Sequence, residues 1–182
     1  MDHFKPIKTK RLILRLFNKD DFEVFSNILN DNIVFENLKF ILKREARIKP
    51  KFLFQSILNS YKIANPIVTL LIIKKDTENK IGLCGLIPLV DRDKALCFYS
   101  LLPMYRGNGF AIEAMKKVLE YGFLNLKFSK LITLIDPKST EVWKVAERIG
   151  MKYMGQIQID EIKSNAMYFS IKKAEFDSQQ II

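Results

Sequence analysis

The stretch YRGNGFAIEAMKKV, Tyr105 to Val118, holds two of the chain's seven glycines between bulky neighbours and runs straight into an amphipathic helix pattern. Ala111, Met115, Val118 and Gly122 form one stripe, with Ile112, Leu119 and Phe123 beside it. Glu113, Lys116, Lys117 and Glu120 fall on the opposite face, and Glu113 and Lys117 have the spacing of a favourable helical ion pair. Glycine accepts positive φ and lets a ligand approach the backbone closely. A helix start adds unpaired N–H groups and the positive end of a dipole, so a glycine turn leading into a helix suits a phosphate. Competing phosphate loops fit poorly. Phe110-Ala111 stands where a Walker loop needs Lys-Ser/Thr, and Ile112 where a dinucleotide fingerprint needs a small residue. The two glycines alone fit a tight turn equally well.

Working outward, Ala95 to Leu102 reads as an apolar strand ended by Pro103, and Leu131 to Ile135 as the next strand after the helix. A helix between two strands is a crossover and implies a parallel pair there. Upstream, Arg11 to Leu16 alternates like a half-buried strand, Ile67 to Ile73 is a continuous β-branched and leucine run, and Lys80 to Val90 is a further strand. Gly82 and Gly85 in that strand suggest a bulge or close packing. Short turns at Asp76–Asn79 and Asp91–Asp93 imply that these strands run antiparallel. Asn18-Lys19-Asp20-Asp21 offers a helix start before Phe22, Phe25, Ile28 and Leu29, and residues 43–64 read as helical, interrupted at Pro50. Downstream, Thr140 to Ile149 is a short helix closed by Gly150, followed by a strand pair, Met151–Ile159 and Ile162–Ile171. The order is β-α-α-β-β-β-α-β-α-β-β, expected as one domain over residues 1–182.

Composition narrows the classes. Hydrophobic residues make up 48% and charged residues 27%, which is globular rather than disordered. Met1 to Lys10 lacks the apolar core of a secretory leader and the apolar runs are too short to span a bilayer, so a soluble, cytoplasmic protein with no membrane partner is expected. Cys84 and Cys97 lie in strand-like runs and read as buried thiols; His3 is the only histidine, so no metal site is expected. The net charge of +10 favours an anionic partner. No aromatic RNA-binding signature or clustered basic stripe accompanies it, and nucleic acid is not the expected partner.

The residues flanking the glycines carry a resemblance. Arg106-Gly107-Asn108-Gly109-Phe110-Ala111 resembles the R/Q-x-x-G-x-G/A loop of the GNAT acyl-CoA N-acetyltransferases. TKRLILRLFNKDDFE (Thr9–Glu23), FYSLLPMYRGNGFAIEAM (Phe98–Met115) and DPKSTEVWKVAERIGM (Asp136–Met151) resemble segments of the branch that acetylates ribosomal-protein N-termini at alanine or serine. Asn32 to Pro66 matches no motif.

The resemblance implies an α/β fold of the α+β type: a mixed, mostly antiparallel sheet of six or seven strands, splayed between the fourth and fifth, with helices on both faces. By position those two strands are Ala95–Leu102 and Leu131–Ile135. It implies acetyl-CoA as cosubstrate, with backbone amides of Arg106, Gly107, Asn108, Gly109, Phe110 and Ala111 on the pyrophosphate and backbone groups near Leu101 on the pantetheine arm. The acceptor would be a primary amine, of a ribosomal or other protein N-terminus or of a small molecule, and the protein a monomer or homodimer.

Three positions depart from the family pattern. Leu96 stands at the position of an acid, Ser139 at that of an Asn, and Val142 at that of a Ser near the sulfur. Ser139 is therefore the one side chain carried forward as catalytic or cofactor-binding, through a hydrogen bond to sulfur or pantetheine; the preferred reading of its hydroxyl is as cap of the helix at Thr140. The general base is unassigned. Tyr99, Tyr105 and Tyr153 are candidate phenols, and Lys144 either meets the 3′-phosphate of CoA or is an exposed lysine. The alternative expectation is an acyl-CoA-binding module that has lost catalysis.

Overall fold

In the computed structural model of the chain, residues 4–32, 34, 49–91 and 93–179 are described. The strands are β1 (Ile7–Lys8), β2 (Leu12–Leu16), β3 (Val68–Lys74), β4 (Lys80–Pro88), β5 (Lys94–Leu101), β6 (Lys130–Ile135), β7 (Lys152–Ile159) and β8 (Ser164–Lys172). The helices are α1 (Phe22–Asn30), α2 (Pro50–Ser60), α3 (Phe110–Leu124), α4 (Thr140–Arg148) and α5 (Lys173–Gln179). One sheet takes all eight strands in the order β1-β2-β3-β4-β5-β6-β8-β7. The sheet is thus longer than the six or seven strands expected. The addition is β1, which pairs through Ile7↔Leu14 and Lys8↔Ile13 and is too short to show alternation in sequence. The strands expected as fourth and fifth are β5 and β6.

Strands β3, β4 and β5 each have an apolar set on both faces. Leu70, Cys84, Leu86, Ala95 and Cys97 join a core with α3, while Leu71, Leu83, Leu96 and Phe98 join a second core with α1 and α2. Burial on both sides explains why Ile67–Ile73 reads as a continuous apolar run rather than an alternating one. On α3 the expected residues Ala111, Met115, Val118, Leu119, Gly122 and Phe123 are buried, Ala114 joins them, and Ile112 is only partly buried. Each large member contributes about 1.5–3 kcal/mol by leaving water. Gly82 and Gly85 are tight contacts: a Cβ at Gly85 would stand 1.9 Å from the Val68 carbonyl oxygen, and one at Gly82 2.2 Å from that of Ser100. A register shift at Ile72/Ile73 lies opposite Gly82, so close packing and a bulge occur together.

The helix ends follow local chemistry. Asn18 and Asp21 form a capping box at the turn before α1. Asp21 is 1% exposed and receives Arg15 Nη1 at 2.6 Å, Lys80 Nζ at 2.8 Å and the Asn18 N–H at 3.0 Å. Burial alone would raise its pKa, but these donors hold it well below the usual carboxylate range. Pro50 begins α2, where its missing N–H falls at a position that has no helical partner. Residues 43–48 of that expected helical stretch, and His3, lie outside the described residues. Gly150 closes α4 at φ 90°, with Gly150 N–H on the Glu147 carbonyl and Met151 N–H on that of Ala146. Cys84 and Cys97 are buried free thiols. No described helix is long and apolar enough to cross a membrane.

The contact that positions the site is the parallel one. β5 and β6 pair only through Lys94↔Lys130, Ala95↔Leu131 and Leu96↔Ile132. β5 then follows β4 to Gly82↔Leu101, and β6 follows β8 to Ile135↔Met167. The two halves of the sheet therefore diverge beyond Leu96 and Ile132.

Candidate active site

Antiparallel pairing alternates the direction of the backbone groups. In the β4/β5 ladder Leu102 N–H reaches Ile81 O and Leu89 N–H reaches Lys94 O, both at 2.9 Å. With that register, Leu96, Phe98 and Ser100 turn their backbone groups to β4, and Tyr99 and Leu101 turn theirs into the divergence. The opening there is lined by Cys97, Phe98 and Tyr99 of β5, Thr133, Leu134 and Ile135 of β6, Met115 of α3, and Val142, Val145, Ala146 and Ile149 of α4, with Met151. It holds about 420 Å³, part of it continuous with solvent.

At the open end β5 leads into a short turn, Pro103–Tyr105, and then the glycine loop. Gly107 has φ 77° and Gly109 φ 76°, a region costly for residues that carry a Cβ. Gly109 occupies the N-cap of α3 and has no side chain to cap it. The first main-chain bond of the helix is Glu113 N–H to Gly109 O at 3.1 Å. Among the described residues no protein acceptor meets the N–H groups of Gly107, Asn108, Gly109, Phe110, Ala111 or Ile112. Six amide donors without a protein acceptor among the described residues thus lie between the end of β5 and the first turn of α3, beside the positive helix end, groups of the kind that bind phosphate.

The side chains around this loop serve its backbone. Asn108 Nδ2 donates to Arg106 O, and Arg11 Nη1 to Asn108 O, both at 3.0 Å. The Arg106 guanidinium turns back, giving Nε to Leu101 O and Nη2 to Asp31 Oδ1, each at 2.9 Å. The Leu101 carbonyl is therefore already engaged, while its N–H is directed at the opening. Glu113 does not pair with Lys117 as the helical spacing implied. It accepts from Thr9 Oγ1 at 2.5 Å, from Arg11 N–H at 2.7 Å and from Arg11 Nε at 2.6 Å, and Lys117 turns to Glu120. A charged donor group held by the tertiary fold outcompetes an exposed i,i+4 pair, which is worth only ~0.2–0.5 kcal/mol. Burial would raise the Glu113 carboxyl, but these three hydrogen bonds outweigh it and hold it below its ordinary value.

Ser139 sits at the N-cap of α4 but its hydroxyl does not cap the helix. Its ψ of 67° departs from the extended conformation that delivers a capping oxygen. Its carbonyl instead accepts from Val142 N–H at 3.0 Å, and its N–H donates to Asp136 O at 2.8 Å. Val142, one turn along, lines the opening, and Ser139 is not among the lining residues. Leu96 is 5% exposed and belongs to the core under α1 and α2. Of the three candidate tyrosines only Tyr99 lines the opening. Tyr105 packs on the α3 core, and Tyr153 is half-exposed on β7 against Phe169. Burial raises the Tyr99 phenol, and Glu141 adds to this against Arg106, so Tyr99 is a hydrogen-bond donor at neutral pH. Burial also pushes the Cys97 thiol up to about 12, and it donates to Met151 Sδ at 3.9 Å. Lys144 is exposed.

The family model for the acetyltransferase (GNAT) domain matches residues 11–152, a span that contains both the glycine loop and the diverging strands. The chain belongs to the GNAT acetyltransferase family. Among curated relatives, the GNAT chain is 31% identical over 161 residues to the uncharacterized N-acetyltransferase YoaA of Bacillus subtilis, covering 85% of this chain and 87% of that one. It is 25% identical over 178 residues to the uncharacterized N-acetyltransferase p20 of Bacillus licheniformis, covering 94% and 98%. With the uncharacterized protein YkkB of Bacillus subtilis it shares 36% identity over 86 residues, 46% of this chain and 50% of that one. The fold is that of a GNAT-family acetyltransferase from Bacillus anthracis, with TM-score 0.75 and 21% identity over 93% of this chain and 99% of that one. It is also that of a ribosomal-protein-S5-alanine acetyltransferase from Vibrio fischeri (TM-score 0.73, 16% identity, 95% and 99% covered). A spermidine N-acetyltransferase variant from Vibrio cholerae shares it as well (TM-score 0.74, 16% identity, 93% and 98% covered).

Sequence reasoning passed over Arg11, Asp31 and Glu113 as parts of this site. Arg11 and Glu113 lie inside the quoted motif segments, but nothing in linear spacing joins residues 102 positions apart. Asp31, at the end of α1, lies between the quoted segment Thr9–Glu23 and the motif-free stretch that starts at Asn32.

Proposed function

We propose that the chain transfers an acetyl group from acetyl-CoA to a primary amine by direct attack. The observation that carries this reading is the set of open amides from Gly107 to Ile112 at the mouth of the β5/β6 divergence. Those amides would hold the diphosphate of CoA, and the main-chain groups of Tyr99 and the Leu101 N–H would receive the amides of its pantetheine arm. A neutral amine attacks the thioester carbonyl carbon, the carbon–sulfur bond breaks, CoA leaves as its thiol, and the nitrogen gives up its proton to water. Tyr99 O–H, one of the hydroxyls lining the opening, would give its proton to the departing sulfur and regain one from water. Among the described residues, no carboxylate lines the opening. An α-amine, with a reference pKa of about 7.7–8.0, loses its proton near neutral pH with little help, whereas a lysine at about 10.4 needs a base. That favours a protein N-terminus or a weakly basic small amine as acceptor.

The fold does not choose the acceptor, because a ribosomal-protein alanine acetyltransferase and a spermidine acetyltransferase share it at 16% identity each. The net charge of +10 disfavours a polycation and assists capture of anionic CoA. Acetyl-CoA also implies a cytoplasmic setting. Leu96 and Val142, apolar where acid and hydroxyl would stand, favour a second reading as an acyl-CoA-binding module without turnover. Calorimetric titration with acetyl-CoA, followed by a thiol-release assay over N-terminal peptides and small amines, separates the two. Binding with release from at least one amine supports the transferase. Binding without release from any supports the module, and no binding overturns both.

A further inference from the structure

We propose that Arg11 is a positioning residue for the CoA diphosphate, an inference that rests on the reading of the glycine loop as the phosphate site. It acts through the Asn108–Gly109 peptide rather than through its charge. In a planar trans peptide the C=O and N–H point in opposite directions. Arg11 Nη1 holds the Asn108 carbonyl at 3.0 Å, so the N–H of Gly109 is aimed the other way, into the anion site. Asn108 Nδ2 does the same for the preceding pair, holding Arg106 O at 3.0 Å and so aiming the N–H of Gly107. The loop therefore has two carbonyls fastened on one side, and the two partner amides turned to the other, by contacts within the protein itself. That preorganisation removes an ordering cost from binding.

Two further contacts fix the Arg11 side chain: Nε meets Glu113 Oε2 at 2.6 Å, and the guanidinium carbon lies 4.5 Å from the centre of the Phe110 ring. Glu113 is itself held by Thr9 Oγ1 and the Arg11 N–H, so the clasp joins the start of β2 to the first turn of α3. Because Glu113 is anionic and only 2.6 Å away, the Arg11 charge is locally balanced. What Arg11 adds to the site is a fork that bonds a carboxylate and a carbonyl at once while stacking on a ring, geometry that an ammonium cannot reproduce.

The test is calorimetric titration of CoA into the wild type, Arg11→Ala and Arg11→Lys at 25 °C, with amide NMR spectra of each protein before ligand is added. Arg11→Ala should weaken CoA about 10- to 50-fold, and Arg11→Lys should recover less than a third of that loss. In the ligand-free spectra the Gly107 and Gly109 amides should move while that of Gly155, in the β7 bulge, stays in place. A purely structural role would move Gly155 too, and its displacement overturns the proposal. So does full recovery by Arg11→Lys, which would mean that charge alone matters, or unchanged affinity in Arg11→Ala. Failure of the wild type itself to bind CoA defeats the phosphate reading and, separately, this inference with it.

Discussion

Two regions flank the same sheet and do different physical work. On the side of α3, the groups offered to a ligand are main-chain amides from Gly107 to Ile112, and side chains such as Arg11, Asn108 and Arg106 hold carbonyls out of the way. On the side of α1 and α2, side chains do the work: Phe17, Phe25 and Phe54 pack edge to face or tilted with centroids 5.0–6.0 Å apart over Leu71, Leu83 and Phe98. A backbone site demands glycines at particular φ values and tolerates many side chains. A side-chain core demands volume and tolerates many apolar sequences. The first region should therefore break in binding, and the second in stability.

The largest expected effect lies in the second region. Phe25→Ala removes a ring that is 1% exposed and should cost about 3–5 kcal/mol of unfolding free energy in urea. CoA affinity of the protein that remains folded at 25 °C should stay within threefold of wild type. A loss of affinity in parallel with stability would merge the two regions into one cooperative unit.

Gly109→Val should do the reverse. A β-branched residue at φ 76° must leave that conformation, and the N–H groups of the loop turn with it. Acetyl-CoA binding should fall about 100-fold, or ~2.7 kcal/mol, with a small change in thermal midpoint. Unchanged binding would remove the loop from the site.

Asp21→Asn tests an anchor beneath α1. Removing the anion from between Arg15 and Lys80 should cost about 3 kcal/mol at pH 7. The folded carboxyl is depressed, so its contribution is fully present above the unfolded value, ~3.9, and is lost as pH falls toward the folded one. Denaturation curves of wild type and variant should therefore converge below about pH 3.9. Parallel curves down to pH 2 would contradict the assignment.

Tyr99→Phe should have the smallest effect: a fall in kcat of about tenfold, with CoA affinity unchanged, as expected for a donor used only as the thiolate leaves. A large rise in Kd with kcat intact would make Tyr99 a binding group.

The same division explains what the sequence disclosed. Seven strands were readable because Ile67–Ile73 and Ala95–Leu102 are apolar runs bounded by turns, and the glycine loop because backbone sites leave glycines behind. Strand β1, of two residues, and α5, with Phe176 alone buried, are too short to carry periodicity. The Arg11–Glu113 clasp was hidden because each residue has a plausible local role, and only the fold brings them within 2.6 Å. Ser139 was misread as a side-chain cap because residue type at an N-cap does not specify ψ. Of the stretch 32–66 that matched no motif, the described part includes α2, whose buried Phe54 and Ile57 are ordinary apolar helix residues and carry no mark beyond volume.

The measurement closest to the central claim is a titration of ¹⁵N-labelled protein with CoA, following the amides of Gly107 to Ile112. The account predicts large downfield proton shifts in this segment that saturate together at one equivalent, with Tyr99 and Leu101 following along β5. Saturable CoA binding that leaves those six amides unmoved while others shift would contradict it.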